Sequence, residues 1–284
     1  MIITVIGLGL IGGSFAKSLK DNHSDIHIIG SDISKVHEEK ALQFGLVHEC
    51  MPLETALNKA DIILLAVPVN IIEKQLPGIL DVIRDHQLVI DFGSTKYNIT
   101  QRVANHPKRK NYLAAHPMAG TENTGPAAAF AGLYTNKILI ICNQELTDKQ
   151  LLEKATSLFN LLAFQLIYMD SESHDKHIAY VSHLSHVSSF MLGLTVLDIE
   201  QNEKNIFNMA GSGFKSTVRL AMSSADMWTP IFIQNKTNVK KALSQYITQL
   251  KEFEEALDNE DEQLLHNMMS RANNIKRALD TKQQ

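Results

Sequence analysis

Residues 5–14 read VIGLGLIGGS and are the most informative segment of the sequence for the fold. An apolar run that begins at residue 2 leads into it, and it carries Gly7, Gly9 and Gly12 in the pattern GxGxxG. At a strand-to-helix junction the first glycine permits a tight turn, the second lets the backbone approach a pyrophosphate, and the third lets the helix pack on the strand. The free amide groups of the first helical turn then face the phosphates, so the stretch predicts a dinucleotide site.

A second strand, IHIIGSD at residues 26–32, ends in Asp32, about twenty residues after the last glycine, as this fingerprint requires. An acidic side chain there accepts hydrogen bonds from the adenosine ribose and repels a 2′-phosphate, which favours NAD over NADP. The alternative is a glycine-rich turn without a ligand, in which Asp32 only caps a helix. Farther on, LLAVPV ends a strand at Val67, and Pro68 suits the start of a helix. The predicted cofactor-binding residues are Gly7, Gly9, Leu10, Ile11, Gly12, Asp32, Val67 and Pro68.

Short apolar runs alternate with helix-like segments through the first 170 residues. The runs lie at 2–6, 26–31, 62–67, 88–92, 112–115 and 137–142. Uninterrupted apolar strands of this kind are covered on both faces, so residues 1–170 are predicted to form an α/β domain with a doubly wound parallel sheet. After QLIYMD at 165–170 the apolar residues follow helical spacing, which predicts an all-α domain over 171–284.

Charge and composition argue against a polyanionic partner. The 284 residues carry a formal net charge of -4, with 44% hydrophobic and 20% charged residues, as in ordinary globular proteins. The basic cluster Lys108, Arg109 and Lys110 follows a proline and is interpreted as a solvated turn. No nucleic-acid partner is therefore expected.

The compartment is predicted to be the cytoplasm. Cys50 and Cys142 stand far apart in apolar surroundings, which favours buried thiols in a reducing environment over a disulfide. Met1 leads directly into the first strand without a charged leader. The longest apolar run, DIILLAVPVNII, is too short and proline-interrupted to cross a membrane, so no membrane partner is expected.

Two polar residues mark the predicted carboxyl edge of the sheet. VIDFGSTK, residues 89–96, ends a strand, and Ser94 is expected to cap a helix, to donate a hydrogen bond in the cofactor crevice, or to do both. YLAAHP is the next strand, so His116 lies at the same edge, and Pro117 is expected to end that strand. A neutral imidazole beside a nicotinamide can accept the proton of an alcohol while hydride leaves the carbon, and the small residues that follow leave room for a substrate.

Five motifs in sequence order resemble those of the prephenate dehydrogenase (TyrA) family. They are GLGLIGGS, DFGSTK, HPMAGTE, SHLSH and GFKSTVRLAMSSADMW. The resemblance implies an N-terminal Rossmann domain, a C-terminal helical domain that forms a homodimer, and use of NAD as cofactor. It further implies oxidative decarboxylation of prephenate to 4-hydroxyphenylpyruvate in tyrosine biosynthesis, a branch of aromatic amino acid biosynthesis.

The same resemblance assigns roles to individual residues. His116 accepts a hydrogen bond from the ring hydroxyl, and Ser94 orients that hydroxyl beside the nicotinamide. Thr121 and Glu122 line the pocket and its gate, and Arg219 anchors a carboxylate. The further substrate-binding residues implied are His183, His186 and Lys215.

The histidine pair and its surroundings leave alternatives open. Ala179, His183, His186 and Phe190 are expected on one helical stripe, where two imidazoles are either a buried pair, substrate ligands or, less in keeping with the absence of a third ligand at suitable spacing, a metal site. No metal is predicted. Ser185 stands where the family commonly has proline, and residues 215–219 lack the acidic residue of the family's Arg-Asp-Thr-Thr-Arg run.

Three other functions remain compatible with the sequence: two enzymatic and one non-catalytic. Arogenate dehydrogenase performs the same chemistry on a substrate with an amino group in place of the keto group. A β-hydroxyacid dehydrogenase shares the glycine fingerprint. That class has asparagine four residues after a helical lysine, whereas here Arg219 stands four residues after Lys215. A non-catalytic NAD-binding protein would need neither His116 nor Arg219.

Overall fold

The computed structural model describes residues 1–200 and 205–280. Eight strands form one sheet in the order β3-β2-β1-β4-β5-β6-β7-β8. They are β1 (Ile2–Ile6), β2 (His27–Ser31), β3 (Glu49–Cys50), β4 (Ile62–Leu65), β5 (Leu88–Asp91), β6 (Tyr112–Pro117), β7 (Ile138–Cys142) and β8 (Gln165–Met169). The α/β expectation is confirmed, and the strands begin and end close to the apolar runs of the sequence.

Helices connect the strands and then continue without further strands in the rest of the described chain. Those of the sheet region are α1 (Leu10–Asn22), α2 (Lys35–Gln43), α3 (Leu53–Lys59), α4 (Val69–Val82), α5 (Tyr97–Arg102) and α6 (Lys149–Leu161). Those that follow are α7 (Ser171–Ile178), α8 (Leu184–Glu200), α9 (Ser212–Val218), α10 (Ala225–Gln234), α11 (Lys236–Asp258), α12 (Glu262–Ala272) and α13 (Ile275–Asp280).

The sheet separates two apolar layers because successive strand residues point to opposite faces. In β4, Ile62 and Leu64 join the layer that includes α1 and α6, whereas Ile63 and Leu65 join the layer that includes α4 and α5. Every residue of β4 is buried, as expected for a strand covered on both sides. Helix α10 also packs into the second layer through Trp228, so part of the helical region rests on the sheet domain.

The sheet is not wholly parallel, which corrects the sequence prediction. Strand β7 runs antiparallel to β6, while β8 is parallel to β7. Hydrophobic runs carry no information on strand direction, so this reversal was not readable from the pattern. Pro117 is the last residue of β6, as expected: beyond Ala114 the strand pairs only with β7, and the missing proline N–H faces the side that has no partner strand.

The basic turn is only partly solvated, contrary to expectation. Arg109 is buried, its Nη1 donates to the Tyr112 carbonyl oxygen at 2.8 Å, and its guanidinium lies over the Tyr112 ring. Burial lowers the pKa of this guanidinium.

Both cysteines are free thiols; Cys142 is buried, but Cys50 is only half-buried. Burial raises the pKa of Cys50 to about 11 and that of Cys142 to about 12, so both are protonated at neutral pH.

The chain separates into two compact units, Met1–Lys236 and Thr237–Gln284. Helices α7 to α10 therefore belong to the unit that contains the sheet, and the functional boundary expected between residues 170 and 171 stays a prediction. Among the residues described, no helix has both the length and the apolar character needed to span a bilayer.

Candidate active site

The glycine turn has the geometry that its sequence requires. Gly7 adopts φ +92°, and a Cβ there would lie 2.5 Å from the Ala66 carbonyl oxygen. A Cβ on Gly12 would lie 1.9 Å from the Gly7 carbonyl oxygen, so the helix start and the turn are in direct contact. A Cβ on Gly9, by contrast, would meet nothing within 4 Å. The open face at Gly9, at the start of α1, fits the approach of a pyrophosphate.

Asp32 lies directly after β2 and faces the glycine turn. Its Oδ2 accepts the Leu8 N–H at 2.8 Å, and its Oδ1 accepts the Ser34 N–H at 2.9 Å. Each carboxylate oxygen has further lone-pair capacity, so these bonds fix the side chain without exhausting it. These two bonds hold the carboxylate beside the glycine turn.

Two predicted helix starts differ in detail from the structure. Strand β4 ends at Leu65, two residues before Val67, and Pro68 is the N-cap residue of α4. Ser94 does not cap a helix, because α5 begins only at Tyr97. Instead the Asp175 carboxylate accepts the N–H groups of Lys96 at 2.8 Å and Tyr97 at 3.0 Å. The half-buried Ser94 hydroxyl is therefore not used as a cap.

His116 lies in β6 near the carboxyl end of the parallel strands and is 8% exposed. Its Nδ1 is 2.8 Å from Nε2 of His174 in α7. Nδ1 of His174 is in turn 2.8 Å from Oδ1 of Asp175. The three side chains form a continuous hydrogen-bonded row that begins at the sheet and ends at the start of α5.

The surroundings keep this row of imidazoles uncharged at neutral pH. Burial is the largest cause that lowers the pKa of His116 well below its usual value, and the neighbouring His174 and Lys96 lower it further. Burial also lowers the pKa of His174, although the bond to Asp175 partly opposes this effect. A neutral His116 is able to accept a proton.

A fully buried lysine supports the strand that carries His116. Lys96 Nζ donates to Asp91 Oδ1 and, at 2.9 Å, to the carbonyl oxygen of Ala115. Asp91 also accepts the Tyr112 hydroxyl at 2.6 Å and the Gly93 N–H at 2.8 Å. The pair therefore has the additional hydrogen bonds that a buried ion pair needs.

The two histidines of SHLSH are not equivalent. Residues Ala179–His183 form a π-helical segment between α7 and α8, so the regular stripe expected for Ala179, His183, His186 and Phe190 is wrong at this point. His183 is fully buried, and burial lowers its pKa to about 4. His186 is half-buried, and its ring stacks on Trp228 at 3.5 Å. Short π-helical segments often occur at functional sites.

Two buried donors near these histidines have no hydrogen-bond partner among the described residues. They are His183 Nε2 and Trp228 Nε1. The other nitrogen of His183, Nδ1, lies 3.2 Å from Nδ2 of Asn235, which also donates to the Asp175 carbonyl oxygen at 2.7 Å. Buried unpaired donors are uncommon, so these two mark a place where a water or ligand is expected.

The predicted carboxylate anchor lies at the surface. Arg219 follows α9, and its Nη1 is 3.2 Å from Glu122 Oε2 in the loop after β6. This pair joins residues 97 positions apart and brings the HPMAGTE segment beside the helical region. Thr121 is exposed, and its Oγ1 accepts the Asn123 N–H at 3.2 Å. Lys215 is exposed on α9, and the structure brings it to no other predicted site residue.

Sequence reasoning missed His174, Asp175, Lys96, Trp228 and Asn235. In α7 the structure buries residues at helical spacing, but the stripe they form is mostly polar. These residues are Ser171, His174, Asp175 and Ile178. The apolar spacing that reveals a buried face in a sequence is therefore missing here, although polar groups on a buried face require hydrogen-bond partners. Among the described residues, no group of three or more His, Cys, Asp or Glu side chains is arranged so that it could hold a metal ion.

Fold and site together define a class of enzyme. A doubly wound sheet, a glycine turn open to a pyrophosphate and a neutral imidazole at the carboxyl edge are the parts of a nicotinamide-dependent dehydrogenase. Sequence models narrow the class: the nucleotide-binding domain of prephenate dehydrogenase matches residues 15–168, and its dimerization domain matches residues 170–271. The chain belongs to the prephenate dehydrogenase family.

Individual relatives agree with the family assignment. The prephenate dehydrogenase of Bacillus subtilis is 29% identical over 99% of this chain and 76% of its own length. The cyclohexadienyl dehydrogenase of Zymomonas mobilis is 27% identical over 98% of this chain and 96% of its own length. The crystal structure of prephenate dehydrogenase from A. aeolicus, in complex with hydroxyphenyl propionate and NAD+, superposes with a TM-score of 0.86 at 30% identity, covering 98% of this chain and 97% of that one.

A relative named as an arogenate dehydrogenase shares the same fold. The Synechocystis arogenate dehydrogenase superposes with a TM-score of 0.77 at 26% identity, covering 98% of this chain and 100% of that one. The fold is therefore common to enzymes named for either of two substrates.

Proposed function

We propose that this protein catalyses the NAD-dependent oxidative decarboxylation of prephenate to 4-hydroxyphenylpyruvate. The observation that carries the proposal is the neutral, buried imidazole of His116, at the carboxyl edge of the sheet whose first strand leads into the glycine turn. Membership of the family and the match to its nucleotide-binding domain support the choice of reaction and of cofactor.

Gly7, Gly9 and Gly12 would hold the pyrophosphate of NAD, and Asp32 would accept hydrogen bonds from its adenosine ribose. The backbone at Leu10 and Ile11 supplies the helix N-terminus, while Val67 and Pro68 line the crevice. The open space at Gly9 fits this arrangement. Bound NAD supplies the acceptor for the hydride that leaves the ring carbon.

His116 accepts the proton of the ring hydroxyl as that carbon is oxidised, and Ser94 orients the hydroxyl. Loss of carbon dioxide from the opposite ring carbon makes the ring aromatic, and His116 returns its proton to the resulting phenolate oxygen. No net proton is consumed, because prephenate carries two negative charges and the keto acid product one. Positioning and a proton acceptor are thus the main contributions required of the protein.

The dianionic substrate needs cationic and donor groups away from the nicotinamide. Arg219 would bind the side-chain carboxylate through its guanidinium, with Lys215, His183 and His186 as further contacts. The carboxylate that leaves as carbon dioxide should not be held by arginine, since that contact would oppose loss of its charge. Thr121 and Glu122 would line the entrance of the substrate pocket. The Glu122 carboxylate accepts a hydrogen bond from Arg219.

A homodimer is the proposed assembly, formed through the helical region. The match of residues 170–271 to a dimerization domain supports it. Helix α11 supports it too, since it carries a row of exposed apolar side chains at helical spacing. They are Tyr246, Ile247, Leu250, Phe253 and Leu257. Exposed apolar area of this kind commonly marks a protein interface.

The experiment mixes purified protein and NAD with prephenate or with arogenate, and follows NADH absorbance together with product identity. We expect NADH and 4-hydroxyphenylpyruvate from prephenate. Faster turnover of arogenate, with tyrosine as product, would instead assign the arogenate activity. Absence of turnover with both substrates, although NAD binds, would overturn the proposal in favour of a non-catalytic NAD-binding protein.

A further inference from the structure

The bond between His116 and His174 joins two side chains that each have one donor and one acceptor when neutral. Their Nδ1 and Nε2 atoms lie 2.8 Å apart, and the two rings meet edge to face with centroids 5.0 Å apart. A hydrogen bond between two imidazoles contains one hydrogen, so one nitrogen must donate and the other accept. The direction of this bond decides which nitrogen of His116 is free to act on a substrate.

The direction is set at the other end of the row. His174 Nδ1 lies 2.8 Å from Asp175 Oδ1, and an ionised carboxylate offers only acceptors. The same carboxylate also accepts two backbone N–H groups, from Lys96 and Tyr97, which hold it in a fixed orientation. His174 Nδ1 must therefore carry the hydrogen and donate it to Asp175.

A neutral His174 has no second hydrogen to donate. Burial lowers the pKa of His174 and that of His116, so both rings are neutral near pH 7. With its hydrogen on Nδ1, His174 presents a lone pair at Nε2 and accepts from His116 Nδ1. The hydrogen of His116 is then on Nδ1, and its Nε2 carries a lone pair.

We propose that His174 is a positioning residue that holds His116 in the tautomer with hydrogen on Nδ1, leaving Nε2 as the proton acceptor. Nε2 makes no hydrogen bond to any residue that the structure describes, whereas every other ring nitrogen of the row is bonded. That this acceptor serves the ring hydroxyl rests on the proposed function. The opposite tautomer would place an N–H where the hydroxyl proton has to go.

The tautomer can be measured without turnover. The full chain, labelled with ¹⁵N in its histidines, is studied by NMR at neutral pH, and the signals are assigned with His116→Asn and His174→Phe variants. We expect His116 to show a protonated Nδ1 and an unprotonated Nε2, and His174 to show the same pattern. A His116 ring protonated on Nε2 in the unaltered protein would overturn the proposal.

Substitution of His174 adds a kinetic comparison. His174→Phe keeps a ring but removes the acceptor, so His116 should lose its tautomer preference and kcat should fall on the order of 10²-fold. His174→Gln offers an amide oxygen in its place and should recover a large part of that loss. His177→Phe, at an exposed position of the same helix, is the matched control and should keep both tautomer and kcat.

Two outcomes of this comparison would contradict the role of His174. One is an unchanged His116 tautomer in His174→Phe, and the other is an equal loss in the Phe and Gln variants. Should His174→Phe not fold, the spectrum of the unaltered protein decides the tautomer. Failure of the proposed function is seen separately, as absence of NADH formation by the unaltered protein, which leaves the NMR result intact.

Discussion

Lys96 Nζ lies 2.9 Å from the carbonyl oxygen of Ala115, so a fully buried ammonium holds the residue that precedes His116. The same ammonium pairs with Asp91, whose carboxylate has no exposed surface. The strand edge that presents the imidazole is therefore fixed by charge as well as by the ladder of strand hydrogen bonds. We expect this contact to contribute measurably to stability.

Replacement of Lys96 by methionine should lower the free energy of unfolding by about 3 kcal/mol or more, because it leaves Asp91 buried without its partner. Urea unfolding at neutral pH measures this. The double variant Lys96→Met with Asp91→Asn removes the unpaired charge and should recover part of the loss. A change below about 1 kcal/mol in the single variant would show that the pair contributes no more than an exposed one.

His116→Asn should fold and bind NAD normally but lose turnover by a factor of roughly 10² to 10⁴, the usual contribution of a positioned base. The measurements are kcat with prephenate and NAD affinity by calorimetry. His86→Asn, at an exposed position before β5, is the control and should keep full activity. Equal kcat in the His116 variant and the unaltered protein would remove this residue from the proposed mechanism.

As the pH is lowered, kcat/KM should stay near its maximum until the pH is below 6.5. Burial lowers the pKa of His116 well below its ordinary value, so the neutral, accepting form persists as the pH falls through the normal histidine range. Activity is then lost only when the pH falls below the lowered pKa of His116, because protonation removes the proton acceptor. Kinetics from pH 5 to 8 test this. If activity instead falls with a midpoint at or above pH 6.5, then His116 is more accessible to water in solution than it is in the structure.

Arg219→Ala should raise KM for prephenate strongly while changing stability little. Its partner in the free protein is Glu122, and the Arg219 side chain is 51% exposed, so the pair should contribute at most about 1 kcal/mol to folding. Steady-state kinetics and urea unfolding provide the two measurements. Glu122→Gln removes the charge of the partner and keeps the guanidinium, so it separates loss of the ion pair from loss of Arg219 itself. An equal rise in KM for both variants would assign the effect to the pair and not to substrate binding.

Two glycine substitutions separate folding from cofactor binding. Gly9→Ala adds a Cβ into open space, so the protein should fold with an unchanged melting temperature and bind NAD at least tenfold more weakly, a change of about 1.4 kcal/mol. Gly12→Ala places a Cβ 1.9 Å from the Gly7 carbonyl oxygen and should lower the melting temperature as well. Unchanged NAD affinity in Gly9→Ala would contradict the location of the pyrophosphate.

The sequence predicted those features that are local in the chain. Each of these features lies in one short segment, and the residue types of that segment are enough to predict it. They are the glycine turn, Asp32 and the strand that carries His116. The direction of β7 is different, because apolar periodicity is the same in parallel and antiparallel strands. The burial of Arg109 was also hidden, since a charge cluster does not reveal that one member packs against Tyr112.

The hydrogen-bond partners of His116 could not be predicted from the sequence for a related reason. His174 lies 58 residues farther along the chain, and only the packing of α7 against the sheet brings the two rings together. Asp175 likewise caps α5 from a distance of 78 residues, where a nearby Ser94 was the natural local candidate. The polar residues of α7 are present in the sequence, but their burial and the groups they meet depend on the fold.

The cap on α5 also constrains how this protein is made. Asp175 bonds both the start of α5 and His174, the partner of His116. A nascent chain that has emerged only as far as β8 contains every strand of the sheet but lacks both of these side chains. On the proposed mechanism, activity cannot begin before α7 has been synthesised, which ties its onset to the synthesis of the helical half.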